Sequence, residues 1–200
     1  MQKLLKNLPG KIILASASPR RRQLLEEIGF TFQVEPVDID ETNQLGASPE
    51  EFASQLAEKK ATIAAQKFPD ALVIGADTVV VQDNHIMGKP ADAKEARIML
   101  DKLSGQFHQV ITGVSLIKAE FRSVFYESTT VHFKRMMPAE IEWYIQTGEP
   151  MDKAGAYGIQ GKGGLLVERI DGSYSNVVGL PMAELVEELL NLEVIEPLAA

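Results

Sequence analysis

The 200 residues carry a formal net charge of -8, with 45% hydrophobic and 24% charged side chains, which is ordinary for a chain that buries one core. There are no cysteines, so disulfides, a thiol nucleophile and cysteine-ligated zinc are excluded, and the acidic balance argues against coating a nucleic acid, which needs a basic face. No apolar run approaches the ~20 residues that span a bilayer, and Ile12 to Ala15 is shorter than the ~7–15 residues of a signal-peptide core, so a cytoplasmic protein with no membrane or nucleic-acid partner is expected.

Lys11 to Ala15 reads as a short strand. Ser18 is placed to cap a helix, with Pro19 at the first helical position, where its missing N–H costs nothing. Leu24, Leu25 and Ile28 give that helix an apolar stripe, and Gly29 can close it. Phe30 to Val34 is a second strand, and "VDIDETNQLGAS" is a polar loop. Ser48-Pro-Glu-Glu is a capping box for a helix through Phe52, Leu56, Ala57 and Ala61 towards Ala65. Ala71 to Ile74 is a buried strand, continued by Val79 to Val81 after "GADT", and "NHIMGKPAD" is a loop. Asp92, three residues before Glu95, caps a helix ending near Leu103. Gln109–Ile117 and Ser123–Phe133 are longer strands and antiparallel neighbours. Pro138 opens a helix through Ile141, Trp143, Tyr144 and Ile145, with Trp143 as core anchor and Met136-Met137 as core or entry packing. "TGEPMDKAGAYGIQGKGG" is the least regular stretch. Leu165–Ile170 is a strand, Asp171-Gly172 a turn, and Pro181–Leu190 a final amphipathic helix. The fold class is α/β, with a mixed, twisted sheet and flanking helices.

Five places can carry chemistry. In "LASASPRRRQ" the helix start points backbone N–H groups and the positive end of its dipole outward, a ready anion site. Ser16 and Ser18 add hydroxyls, and Arg20 and Arg21 add forks suited to phosphate oxygens. Cations there oppose the dipole by ~0.3–1 kcal/mol each, which stability alone does not favour, although a capped helix with a solvated basic turn has the same look. In "IGADTVV" a buried strand runs into Asp77, a carboxylate costly to bury alone and suited to metal binding or to general-base work; a turn-forming Asp is the plain alternative. Asp38, Asp40 and Glu41 place hard oxygen donors in one loop, the kind Mg²⁺ takes alongside substrate phosphates, or they form a solvated acidic run. Lys60 and Lys89 are point charges that gain meaning only in company. In "DKAGAYGIQGKGG" the glycines let a ligand approach the backbone, Tyr157 can stack, and the Gln160 amide can read a base edge. No Walker or dinucleotide fingerprint is present. The scattered His85, His108 and His132 read as incidental.

"LASASPRRRQLL", "VDIDET", "LAEKKA", "IGADTVV", "GKP", "KLSGQFHQVITGV", "DKAGAYGIQGKGG" and "GSYSNVVGLP" occur in that order. Together they resemble the Maf-like nucleoside triphosphate pyrophosphatases over Ile12 to about Leu190. The resemblance implies a Maf/ITPase-like fold, residues 1–200 forming one domain with two lobes around a nucleotide cleft, and residues 1–10 a short N-terminal extension. It implies a homodimer and a divalent metal, Mg²⁺ or Mn²⁺, held by Glu41 and Asp77. Asp77 would accept the proton of the attacking water, with Glu41, Lys60 and Lys89 completing the catalytic set and the lysines on the phosphates. Ser16, Arg20 and Arg21 would line the cleft, while Thr78 and Gln160 would set base preference. Arg20, Thr78, Gln160 and "AGAYGIQG" look like the subgroup that prefers dTTP and UTP, with modified pyrimidine nucleotides as further candidates, in house-cleaning of the nucleotide pool. The alternative is a nucleotide-binding regulator of cell division with little turnover, distinguished by tight binding without hydrolysis.

Overall fold

The computed structural model describes residues 5–7, 10–39 and 46–197. In chain order they form β1 (Leu5–Asn7), β2 (Ile12–Ala15), α1 (Pro19–Glu27), β3 (Gln33–Val34), α2 (Pro49–Lys67), β4 (Leu72–Gln82), β5 (His85–Met87), α3 (Ala93–Leu103), β6 (Phe107–Lys118), β7 (Phe121–Phe133) and α4 (Pro138–Gln146). After short 3-10 turns between Glu149 and Leu166 come β8 (Val167–Asp171), α5 (Tyr174–Val178), α6 (Met182–Asn191) and β9 (Ile195–Pro197).

The main sheet has the order β3-β2-β4-β6-β7-β8, with β5 added to β4. β2 is parallel to both β3 and β4, whereas β5 and β8 run antiparallel to β4 and β7. β6 and β7 are adjacent and joined by two residues only, so they form a hairpin. The sheet is therefore mixed, as expected. β1 and β9 pair separately as an antiparallel ribbon.

The chain divides into two compact units. One comprises Met1–Asp77, Thr112–Tyr126 and Gly179–Ala200; the other comprises Thr78–Ile111 and Glu127–Val178. In the first, Ile13, Ala15 and Val73 of the strands pack with Ala61 and Ala64 of α2. In the second, Leu100 and Leu103 of α3 meet Val110, Val131 and Phe133 of the strands, and Tyr144 of α4.

Several sequence expectations need correction. β4 is one strand of 11 residues running straight through Gly75-Ala-Asp-Thr, because parallel pairing to β2 holds Gly75 in register with Ala15. "NHIM" is no loop: Asp83 and Asn84 both adopt positive φ, and the chain reverses to pair β5 with β4, as short-chain polar residues allow. Trp143 is no core anchor: it is 45% exposed, and Tyr144 beside it is fully buried. Met136 is buried, but Met137 is exposed. β3 shrinks to two residues, and α5 was not anticipated.

Candidate active site

In the first unit the chain leaves β2 through α1 to reach β3 on one side, then returns through α2 to β4 on the other. The strand order reverses between β2 and β4. In open α/β sheets ligands bind outside the carboxyl ends of the strands at such a reversal. Ser16 follows the last residue of β2. The register pairs Ala15 with Gly75, so Ser16 lies level with Ala76 and one residue from Asp77. Neighbouring strands are ~4.8 Å apart, so the end of β2 at Ser16 lies beside the middle of β4, which runs on to Gln82.

Asp77 is met there by Lys60. α2 starts at a full capping box: Glu51 N–H donates to Ser48 Oγ at 3.2 Å, and Ser48 N–H to Glu51 Oε2 at 2.9 Å. The spacing of Ala53, Ala57, Ala61 and Ala64 turns one small-residue stripe inward. Opposite it, a Cβ on Gly75 would stand 2.3 Å from the Ala57 carbonyl oxygen, and one on Gly113 2.5 Å from Ala53. Small residues on both surfaces let the helix lie against the strands. Lys60 shares the inward face, three residues after Ala57, and its Nζ donates to Asp77 Oδ1 at 2.5 Å. Both side chains are about nine-tenths buried. A buried carboxylate or ammonium alone is expensive, and the pair offsets much of that cost.

Pro19 occupies the first position of α1 and Ser18 its N-cap, but the Ser18 side chain makes no capping bond. Instead Ser16 Oγ accepts from Ser18 N–H at 3.2 Å and from Arg21 Nη1 at 3.0 Å. A hydroxyl has two acceptor lone pairs and one proton. With both lone pairs occupied, the Ser16 proton is the group left to donate. Arg21 is buried, and its Nε also donates to the Gly179 carbonyl at 2.7 Å. It braces the Ser16 turn against the chain that enters α6. Arg20 is half-buried on the same turn. Glu41, with Asp40, lies outside the described residues, while Asp38 is described and exposed.

The second unit holds Thr78, Lys89 and Gln160. Thr78 is half-buried on β4, directly after Asp77, and Lys89 is exposed just past β5. The loop of Lys89 is tied to the glycine-rich segment, for Gly155 N–H donates to the Gly88 carbonyl at 3.0 Å. Within that segment Tyr157 is buried, and its hydroxyl lies 2.7 Å from His108 Nε2. Phe133 packs edge-on against both rings. Burial raises the Tyr157 phenol, so it serves as a protonated hydroxyl. Burial lowers the His108 imidazole to about 4, helped by the charge of His132. His108 is thus structural, a role its isolated place in the sequence did not signal. Tyr144 and Glu149, also missed, bond to the turn that carries Gln160.

Among the described residues no three acidic, histidine or cysteine side chains gather to hold a metal, and no helix is long and apolar enough to cross a membrane.

A model of the family described as Maf-like protein matches residues 11–192. A protein named dTTP/UTP pyrophosphatase from Symbiobacterium thermophilum is 48% identical, over 90% of this chain and 92% of that one. Another of that name from a Geobacillus species is 50% identical, over 91% and 98%. A third, from Myxococcus xanthus, is 48% identical, over 88% and 89%.

Proposed function

Since the chain belongs to the family of Maf-like proteins, we propose that it hydrolyses nucleoside triphosphates, dTTP and UTP foremost, to the monophosphate and pyrophosphate. The relatives that carry this name match it almost end to end. The observation that carries the reading is the buried Lys60–Asp77 pair, on the strand that neighbours β2 where the sheet reverses its strand order. A pure binding site has no need of a carboxylate held at that point by an ammonium.

In this reading Asp77 takes the proton of a water attacking the α-phosphorus. The α–β phosphoanhydride bond breaks and pyrophosphate leaves with the bonding electron pair. Lys60 aligns the carboxylate with one of its three donors, and Lys89 meets the departing phosphates. Ser16 donates its proton to a phosphate oxygen, aided by Arg20 and the N–H groups at the start of α1. Arg21 acts through Ser16. Thr78 and Gln160 contact the base.

Mg²⁺ or Mn²⁺ completes the centre, with Asp77 and Glu41 as its carboxylates. Mg²⁺ prefers one or two carboxylates plus substrate phosphates and retained waters. The second oxygen of Asp77, beside the one that takes Lys60, fits that demand. The cation supplies charge for the developing phosphoryl oxygens. We further propose a homodimer acting in the cytoplasm.

The test is pyrophosphate release from a panel of nucleotides with Mg²⁺ or Mn²⁺. Asp77→Asn should lower kcat by about 10²–10⁴-fold, the range of a lost general base, with the fold kept by circular dichroism. Wild-type turnover in that variant would remove Asp77 from the reaction. Tight binding of dTTP with no pyrophosphate released by the wild-type chain would leave the regulator reading instead.

A further inference from the structure

The turn from Gly158 to Gly163, with Gln160 near its tip, is fastened at both arms to one point. On the incoming arm, Gly158 N–H donates to the Tyr144 hydroxyl at 3.2 Å, and that hydroxyl donates to Glu149 Oε1 at 3.1 Å. On the outgoing arm, Gly163 N–H donates to Glu149 Oε1 at 3.0 Å, and Lys162 N–H to Glu149 Oε2 at 3.1 Å. The carboxylate thus takes two donors from the outgoing arm directly and reaches the incoming arm through the Tyr144 hydroxyl. Charge-assisted bonds of this kind are the stronger class. Space is tight: a Cβ on Gly163 would stand 2.3 Å from the Gly158 carbonyl oxygen and 2.6 Å from the Tyr144 hydroxyl. Lys153 holds the carboxylate's own backbone, its Nζ donating to the Glu149 carbonyl at 2.6 Å. Gln160 stands at the N-terminus of the 3-10 turn Gly161–Leu166 and its side chain does not cap that turn, so the amide is not consumed in holding the loop.

We propose that Glu149 and Tyr144 are positioning residues for base selection: by cinching both arms of the 158–163 turn they fix where the Gln160 amide is presented. The proposal rests on the reading of Gln160 as a base contact. An amide recognises a pyrimidine edge through a donor and an acceptor at set places. A turn free to open would spread those places and weaken binding of the preferred base first. The site's discrimination therefore depends on two side chains that need not touch the nucleotide.

Steady-state kinetics of the full chain with UTP, dTTP and GTP test this. Glu149→Ala and Tyr144→Phe should each raise KM for UTP and dTTP by about tenfold, as loss of three and two hydrogen bonds, respectively, warrants. Their kcat should stay within about twofold, and GTP kinetics should be unchanged, the signature of lost uniform binding. Glu149→Gln, which keeps one carbonyl acceptor, should recover part of the loss. An equal fall of kcat on all three nucleotides, tracking a lower melting temperature, would make the pair merely structural and overturn the proposal. If Glu149→Ala does not fold, Tyr144→Phe decides alone. Gln160→Ala runs beside them. If it narrows the preference while Glu149→Ala and Tyr144→Phe do not, the base contact stands and the positioning role falls. If it leaves the preference intact, the base contact falls and takes the positioning role with it.

Discussion

Lys60 and Asp77 sit on a 19-residue helix and an 11-residue strand, whereas Gln160 sits among 3-10 turns held together by side chains that reach across to backbone N–H groups. The first arrangement derives its geometry from regular structure. Small residues on β4 let α2 approach, and the register of β2 on β4 brings Ser16 level with Ala76, one residue before Asp77. The second has no ladder to rely on, so His108, Tyr144 and Glu149 provide the fixing that hydrogen-bonded strands would otherwise supply. The difference matches the tasks proposed for them. Water activation tolerates little displacement, while base reading benefits from a loop whose shape can be tuned without disturbing the sheet.

The largest effect that separates the two regions is a response to acid. In the folded chain the His108 imidazole is held at about 4, against an ordinary 6.5. Between those values the unfolded chain binds a proton that the folded chain refuses. The stability from neutral His108 is therefore complete above about pH 6.5 and is lost as pH falls towards 4. The whole window is worth about 3 kcal/mol. Thermal melts from pH 7 to pH 4 should show this slope, and His108→Gln, which keeps a partner for Tyr157 but does not titrate there, should flatten it. An unchanged slope in the variant would place the acid sensitivity in other groups and weaken the contrast.

Gly75→Ala breaks the other side of the comparison. The new Cβ would stand 2.3 Å from the Ala57 carbonyl oxygen and 2.9 Å from the Ala61 Cβ, so α2 must move off the strand. Overpacking of this kind costs about 1–3 kcal/mol. Because Lys60 rides on that helix, kcat should fall by about 10–100-fold, as small misplacements at a reacting centre do, while the preference for UTP over GTP stays. Urea unfolding and the nucleotide panel check both halves. A variant that keeps full turnover would show that the Lys60–Asp77 distance is not set by this contact.

What the sequence made legible was local. Ser48 with Glu51 and Asp92 with Glu95 cap their helices as their spacing implies, since those signals lie within one turn. The mixed sheet followed from the alternation of strand and helix segments. Asp77 stood out as a costly residue in apolar company, whereas Lys60 gained meaning only once the fold brought it to that carboxylate. The continuity of β4 was hidden because Gly75 and Asp77 look like turn residues, and only the approach of α2 shows that Gly75 serves packing. Glu149 was invisible for another reason: most of its partners are backbone N–H groups, which nearly every residue possesses, so no side-chain motif announces them. Glu41 lies outside the described residues, and its role stays with the proposal.

The smallest predicted effect concerns the helix that carries Tyr144. Trp143 and Tyr144 are adjacent on α4, so only one of them can point into the core, and an apolar stripe alone does not say which. Tyr144 is the one turned in, with its hydroxyl placed to serve both Gly158 and Glu149; an indole there would offer a donor but no acceptor for the Gly158 N–H. Trp143 is left 45% exposed. Its replacement by Ala should therefore change stability by no more than about 0.5 kcal/mol, like other surface changes, despite the size of the side chain. Tyr144→Phe removes one oxygen and should cost about 1 kcal/mol or more, because a partnered hydroxyl is lost from the interior. Parallel urea titrations order the two. If the Trp143 variant proved the weaker, α4 would face the core by its other side, and the fastening of the glycine-rich turn would need another helix.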